Sequence, residues 1–284
     1  MRDKARLFLA AISAAVIACL GLAVPAESAS LPSPVSCAGC WKPALNTSWQ
    51  WQLSSLPSTP YLDVTMYDID GFDATAGTVS QLHSTKSGRK VVCYVSAGTW
   101  EDWRPDAGDF PSSVLGSNVD GWKGERWLDV RQYNGKLGTV LKKRMDMCKT
   151  KGFDAVEFDN VDGYTNSPGF PVTANDQLNF NAWLANEAHN RGLSVGLKND
   201  IAQLQSLQPY FDWALNEECW TWGECTTAQT GYGYDKYVAA GKAVFNVEYD
   251  LSTSQFCSKA NAQNFNSLKK KLELDATRTP CRGV

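Results

Sequence analysis

Short runs in which apolar residues alternate with polar ones recur along the chain at roughly thirty-residue spacing. They read L-D-V-T-M-Y-D-I from Leu62, K-V-V-C-Y-V-S from Lys90, W-L-D-V from Trp127, D-A-V-E-F-D-N from Asp154, S-V-G-L-K-N from Ser194, F-D-W-A-L-N-E from Phe211, A-V-F-N-V-E-Y from Ala243 and, most weakly, L-E-L-D-A-T from Leu272. Their β-branched and aromatic content predicts strands. Between several of them the period becomes helical. Leu137, Val140, Leu141, Met145 and Cys148 share one helix face, and residues 176–191 form a second helix stopped by Gly192. Strand and helix alternating eight times predict a single-domain (β/α)8 barrel, the TIM-barrel class of α/β fold. A doubly wound open sheet is the alternative, but the Gly-rich turn it uses for nucleotides is missing after the first strand. The predicted barrel covers 61–284. Residues 31–60, rich in Pro, Ser and Trp, read as an N-terminal segment wrapped on it.

The first thirty residues have another pattern. Arg2, Lys4 and Arg6 precede an apolar run from Leu7 to Val24 and then the small residues A-V-P-A-E-S-A-S, the order of a secretory signal peptide. Cleavage near Ala26 suits it. V-I-A-C, ending at Cys19, also has the form of a lipoprotein processing box, so the expected location is secreted, with a lipid anchor through Cys19 as a variant. Eight cysteines then remain, Cys37, Cys40, Cys93, Cys148, Cys219, Cys225, Cys257 and Cys281, an even number that suits disulfides in an exported chain. Only the local pair Cys219–Cys225 is readable. Zinc at Cys37 and Cys40 would need a second ligand pair, and none has the spacing.

The whole chain carries a formal net charge of −3. Cleavage before Glu27 removes three basic residues and Asp3, leaving about −5. That balance speaks against nucleic acid as a partner. With two histidines, His83 and His189, both in helical stretches, neither a Ser-His-Asp triad nor a multi-histidine metal site is expected. No calcium-loop spacing and no phosphate-binding loop is present, so the reading needs no cofactor and no metal.

Carboxylates are what remain. Barrel enzymes carry their chemistry at the C-terminal strand ends. Here those ends read Y-D-I-D-G, Y-V-S-A-G, F-D-N-V-D, L-K-N-D, N-E-E-C-W and N-V-E-Y-D. In residues 154–162 the alternation sends Val156 and Phe158 toward the helices and Ala155, Glu157 and Asp159 into the barrel. Asp159, nearest the strand end, is the best catalytic candidate, with Glu157 a deeper partner, Asp162 in the following loop, and Asp154 a solvated strand start. Its partner is Glu217 or Glu218. Phe211, Trp213 and Leu215 look outward-facing, which would aim Glu218 inward, so alternation does not choose Glu217. Paired carboxylates suit glycoside hydrolysis, one protonating the leaving oxygen and the other attacking the sugar or activating water. Trp100, Trp103, Trp220 and Trp222 follow strand ends, and about two of the four are expected to touch a sugar.

Y-D-I-D-G-F-D (67–73), V-V-C-Y-V-S-A-G-T-W-E-D-W-R-P-D (91–106), G-F-D-A-V-E-F-D-N-V-D-G-Y (152–164), G-L-K-N (196–199) and N-E-E-C (216–219) together resemble glycoside hydrolase family 114, the endo-α-1,4-polygalactosaminidases, in order from about Trp49 to Tyr249. The resemblance implies a (β/α)8 barrel that cleaves α-1,4-linked galactosamine in secreted or biofilm galactosaminogalactan. It also implies Asp159 and Glu217 as the catalytic pair. L-E-L-D-A-T-R-T-P-C matches the family weakly. A crowd of acids that includes Asp68, Asp70, Asp162 and Glu248 would attract the ammonium of galactosamine and hold one proton for general acid work. Tyr67, Asp68, Asp70, Tyr94, Asp162, Lys198, Asn199 and Trp220 are the expected sugar contacts. Lys198, unexpected in a cation-binding cleft, would pair with Asp159 or Glu217, or serve only as a structural ion pair. Asp159 as nucleophile and Glu217 as acid/base predict carboxyls about 5–5.5 Å apart and retention. The rivals are a non-catalytic polysaccharide-binding barrel and a metal-dependent polysaccharide deacetylase. A cationic glycan is the expected partner of a monomer without a membrane span.

Overall fold

Eight parallel strands follow one another round a curled sheet: β1 Trp49–Gln52, β2 Met66–Asp70, β3 Lys90–Ser96, β4 Ala155–Asp159, β5 Ser194–Lys198, β6 Trp213–Glu217, β7 Val244–Glu248 and β8 Asn266–Lys269. Each pairs in parallel with the next. A two-residue strand, Thr279–Pro280, adds antiparallel to β8. This computed structural model describes residues 31–283, so the expected export signal and Cys19 lie outside the described residues. No backbone ladder joins β1 to β8 among the described residues. Side chains and loops bridge that seam: the Trp49 indole N–H donates to Asn266 O at 2.8 Å, Leu53 N–H to Leu274 O at 3.0 Å, and Lys270 Nζ to Gln50 Oε1 at 3.2 Å.

The strand order agrees with the (β/α)8 expectation, but three assignments change. The first strand is W-Q-W-Q at 49–52, inside the segment expected to wrap the barrel. Its alternation is complete, with the indoles in the barrel interior and Gln50 Nε2 and Gln52 Nε2 bonded to Ala276 O and Ser55 O. The run at Trp127 is not a barrel strand. Glu125–Leu128 lies between Thr99–Glu101 and Leu115–Asn118 in a separate antiparallel sheet, an insertion between β3 and the next helix. Leu272 and Glu273 form a turn, and the eighth strand is the short, more polar N-S-L-K before it.

Helices α1 Ala76–Ser84, α2 Lys136–Lys151, α3 Ala174–Asn190 and α4 Thr253–Ala262 pack outside. α2 buries Leu137, Val140, Leu141, Met145 and Cys148, and ends at Gly152 with φ +91°, where a side chain would be strained. α3 starts on a reciprocal Thr173–Asp176 capping box. Residues 32–35 are pinned to the barrel: Tyr210 donates to Pro32 O, Asn186 bonds Ser33 O and Val35 N, and His189 bonds Val35 O. His189 reaches Asp212 as well, at 3.0 Å. Disulfides join Cys37–Cys40, Cys93–Cys148, Cys219–Cys225 as expected, and Cys257–Cys281. No helix among the described residues is long and apolar enough to cross a membrane.

The barrel interior grades from apolar to ionised. Trp49, Trp51, Met66, Val92, Ala155, Trp213, Leu215, Phe245 and Val247 fill the lower part. Gly196 on β5 makes room for this filling, since a Cβ there would stand 2.3 Å from the Trp213 ring. Val156 and Phe158 face the helices, as the alternation in β4 requires. The opposite holds in β6, where Trp213 and Leu215 lie inside and Ala214 outside, so the outward orientation expected for those two residues is reversed.

Candidate active site

The reversal separates the two candidate carboxylates. With Trp213 and Leu215 inside, the alternation in β6 brings Glu217 into the barrel mouth. Glu218 follows with φ +60°, half-buried and beyond the strand. Glu217 meets Asp159 through one side chain. Lys198, at the end of β5 between β4 and β6, places Nζ 2.7 Å from Asp159 Oδ1 and 2.9 Å from Glu217 Oε2. Burial works against that ammonium, but Asp159, Glu217 and Glu157 outweigh it and raise its pKa well above the ordinary lysine value.

Asp159 is held from every side. Oδ1 also accepts from Asn160 N–H at 2.8 Å, and Oδ2 accepts from the Tyr94 hydroxyl at 2.9 Å. Burial pushes its carboxyl up, yet Lys198, the Asn160 amide and Tyr94 more than reverse this and hold it below the usual aspartate value. The Asn160 amide is presented because the β3 loop closes on it. Gly98 N–H donates to Asp159 O, and a Cβ at Gly98 would collide with Asn160 O at 1.6 Å. Glu217 Oε2 lies 3.4 Å from Asn199 Nδ2, and its backbone N–H donates to Asn199 Oδ1 at 3.0 Å. On the other side, Tyr249 donates its hydroxyl to Glu217 Oε1.

Below the pair, Asp68 on β2 and Glu157 on β4 are fully buried and face each other. Burial first, and then each other's charge at Glu157, drives both up, Asp68 to about 7 and Glu157 well above the ordinary glutamate value. Trp51 Nε1–H donates to Glu157 Oε2 at 3.1 Å. Asp68 therefore sits beneath the floor rather than in contact with a sugar.

The other expected contacts divide. Tyr94, Lys198, Asn199 and Asp162 line the cleft, with the Asp162 carboxyl pushed up by burial and by Asp159 to about 6. Asp70 borders the cleft but is committed to Arg104, which donates to both its oxygens at 3.0 and 2.7 Å. Tyr67 does not reach the site. It faces the helices, where its hydroxyl accepts from Leu62 N–H, because odd positions of β2 point outward. Trp220 also turns away, its ring packing on Phe265 and its backbone N–H donating to Glu248 Oε1. Glu248 points outward and caps the Cys219–Trp222 turn through Trp220 N and Thr221 N and Oγ1, so it is not a cleft residue. Asp154 is not a solvated start. At the opposite barrel end it binds His83, Lys90 and Val91 N–H.

Two cavities open from the pair, about 920 and 540 Å³, and share Trp122, Asp162, Asn199, Glu217 and Leu272. They form one groove passing over Glu217. The larger lobe runs past Trp222, Tyr232 and Glu224, the smaller past Trp103, Trp127 and Glu125. The large apolar side chains left exposed among the described residues are Leu62, Trp103, Trp122, Trp222 and Leu272, and all except Leu62 line this groove. Trp103 and Trp222 are thus the two of the four expected tryptophans at the cleft, while Trp100 is tied to Ala107 O. Trp122 and Tyr249 were missed. Trp122 sits in a hairpin turn no strand pattern announces, and Tyr249 follows β7, where its odd position, inward like Val247, was the available signal. No cluster of three or more His, Cys, Asp or Glu suited to a metal occurs among the described residues.

A barrel whose strand ends join two carboxylates on one ammonium, in an open groove edged with aromatic rings, has the design of a carboxylate-pair glycosidase. The chain belongs to glycoside-hydrolase family GH114, whose profile matches residues 31–284. Among solved structures it is similar to Aspergillus fumigatus Ega3, determined in complex with galactosamine, at 35% identity and TM-score 0.80 over 88% of this chain and 100% of that one. The glycoside hydrolase domain of PelA from Pseudomonas aeruginosa shares the fold at 12% identity and TM-score 0.63, over 82% of this chain and 97% of that one. No curated protein matches.

Proposed function

We propose that the protein is an exported, endo-acting hydrolase of α-1,4-linked galactosamine, with Asp159 as nucleophile and Glu217 as general acid/base. The observation that carries this reading is the bridge Asp159–Lys198–Glu217 at the floor of a groove open on both sides. An Asp159 oxygen attacks the anomeric carbon while Glu217 protonates the leaving oxygen. Water then releases the sugar from Asp159 and returns a proton to Glu217. Retention is favoured because the two bridged oxygens can be no farther apart than the 2.7 and 2.9 Å contacts laid end to end. That is short of the ~6.5–9.5 Å needed to seat a water between the carboxyls for inversion.

The substrate class rests on the similarity to an enzyme solved with galactosamine and on the groove's chemistry. The larger lobe is lined by Asp162, Asp200, Glu217, Glu218 and Glu224 with no Lys or Arg, which suits a cationic sugar. Groove on both sides of Glu217 suits internal cleavage. Four disulfides and the pattern of residues 1–30 support export, with those residues as the signal and the barrel, from β1 onward, as the catalytic unit.

The test is mass spectrometry of products from de-N-acetylated galactosamine oligomers incubated with the purified chain and with Asp159→Asn. Shorter oligomers from wild type alone are expected. Intact oligomers that nevertheless bind would favour a polysaccharide-binding barrel, and release of acetate abolished by a chelator would favour a deacetylase.

A further inference from the structure

We propose that Lys198 is a shared counter-ion that stays paired while the negative charge moves from Asp159 to Glu217 and back in each turnover. The inference rests on the retaining reading above and goes beyond it, to a positioning residue with a defined electrostatic task.

The argument begins with where the charge goes. In the first step a bond forms between an Asp159 oxygen and the anomeric carbon, the glycosidic C–O bond breaks, and the Glu217 proton passes to the leaving oxygen. Asp159 loses its charge and Glu217 gains one. In the second step a water oxygen bonds to the same carbon, its proton passes to Glu217, and the bond to Asp159 breaks, so the charge returns. One carboxylate is anionic at every stage, but not the same one. A buried cation tied to Asp159 alone would face a neutral ester in the intermediate, with its desolvation uncompensated. Lys198 is 2% exposed and contacts both carboxylates. It comes from β5, the strand between those bearing Asp159 and Glu217, so neither side chain has to move to keep its partner.

The ammonium is also braced from below. The Trp51 ring centroid lies 5.0 Å from Nζ, and Glu157 Oε1 lies 3.8 Å from it with no hydrogen-bond donor of its own. Asp68, facing Glu157, has no donor at either oxygen. Two facing buried carboxyls without a cation of their own hold at least one proton between them. They thus present at most a single negative charge under Lys198, with Glu157 near enough to brace it and too far to draw it off the catalytic pair.

The experiment compares wild type, Lys198→Met and Lys198→Arg on α-1,4-galactosamine oligomers. It repeats the comparison on the same oligomers carrying a 2,4-dinitrophenyl leaving group, which needs no proton. The groups facing Asp159 and Lys198 that bear on the pH profile are Asp68 from β2, Tyr94 from β3, Glu157 from β4, Asp162, Glu125 from the inserted sheet, Glu217 from β6 and Tyr249 after β7. Lys198→Met is expected to lower kcat by about 100-fold or more on both substrates. Its KM should change by less than about threefold. The acid limb of kcat/KM should move to higher pH, because only the Asn160 amide and the Tyr94 hydroxyl then oppose burial at Asp159. Lys198→Arg keeps the acid limb while lowering kcat. A Lys198→Met enzyme that loses thermal stability but keeps its acid limb and a rate within about threefold of wild type would reduce the lysine to a structural ion pair. Should that variant fail to fold, an acid limb displaced in Lys198→Arg overturns the proposal equally. Wild type inactive on both substrates overturns the functional reading, and an inverted first product, seen by NMR, overturns retention. Either removes this proposal with it.

Discussion

The Tyr94 hydroxyl donates to Asp159 Oδ2 at 2.9 Å, across the β3–β4 pairing in which Ser96 stands beside Asp159. The bond links two residues that burial would otherwise set against the chemistry. It helps keep Asp159 ionised, while burial and Asp159 itself push the Tyr94 phenol well above its ordinary pKa, so Tyr94 remains a donor. A hydrogen bond to a charged group contributes about 1.5–3 kcal/mol. Tyr94→Phe should therefore lower kcat roughly 10- to 100-fold and raise the acid limb of the pH profile. KM on galactosamine oligomers should change little, and steady-state kinetics across pH checks it.

Glu217 and Glu218 are adjacent in sequence but differ in their contacts. Glu217 contacts Lys198, Asn199 and Tyr249, whereas Glu218 has stepped into a left-handed conformation beyond the strand. Glu217→Gln should reduce turnover of oligomers at least about 1,000-fold, while Glu218→Gln should stay within about tenfold. A substrate with a leaving group that needs no proton should recover most of the Glu217→Gln loss in the first step, which a burst of leaving group would reveal.

Trp222 is 71% exposed and lines the larger lobe, so its removal disturbs no packing. An ammonium-bearing sugar over an exposed indole gains about 0.5–1 kcal/mol. Trp222→Ala should raise KM for long oligomers about three- to fivefold with kcat and melting temperature unchanged. Oligomers too short to reach that lobe should show no difference.

Stability should follow the buried acids. Burial pushes Asp68 to about 7, Asp162 to about 6 and Asp200 to about 8, against about 3.9 in the unfolded chain. Across that window the folded state binds more protons than the unfolded state, so stability falls as pH rises. Asp159, Asp212 and Asp129 behave in the opposite sense. Burial raises each, but their partners (Lys198, His189 and Arg131 foremost) outweigh it, so their contribution is present above about pH 4 and lost below. The melting temperature should rise from about pH 8 to about pH 5 and fall again below about pH 4. A curve that climbed steadily to pH 8 would show that these carboxyls are not held neutral.

The sequence by itself determined the barrel class, the acidic strand ends, the family and the placing of Asp159, because strand alternation and motif spacing are local properties. It also yielded the inward set of β4, where Val156 and Phe158 leave no doubt about the outer face. It misjudged β6 because Trp213 and Leu215 are apolar on either face. In the fold both face inward, and Gly196 on the neighbouring strand leaves the room that the Trp213 ring needs there. W-Q-W-Q escaped notice for a related reason: its parallel partner β2 and the loop carbonyls that satisfy its glutamines are contributed by other parts of the chain. The commitment of Asp70 to Arg104, the outward turn of Glu248 and the meeting of Asp159 and Glu217 on Lys198 were likewise decided by tertiary structure. Each depends on distances between residues far apart in the chain, and for a charged side chain those distances determine whether it is free, paired or shared.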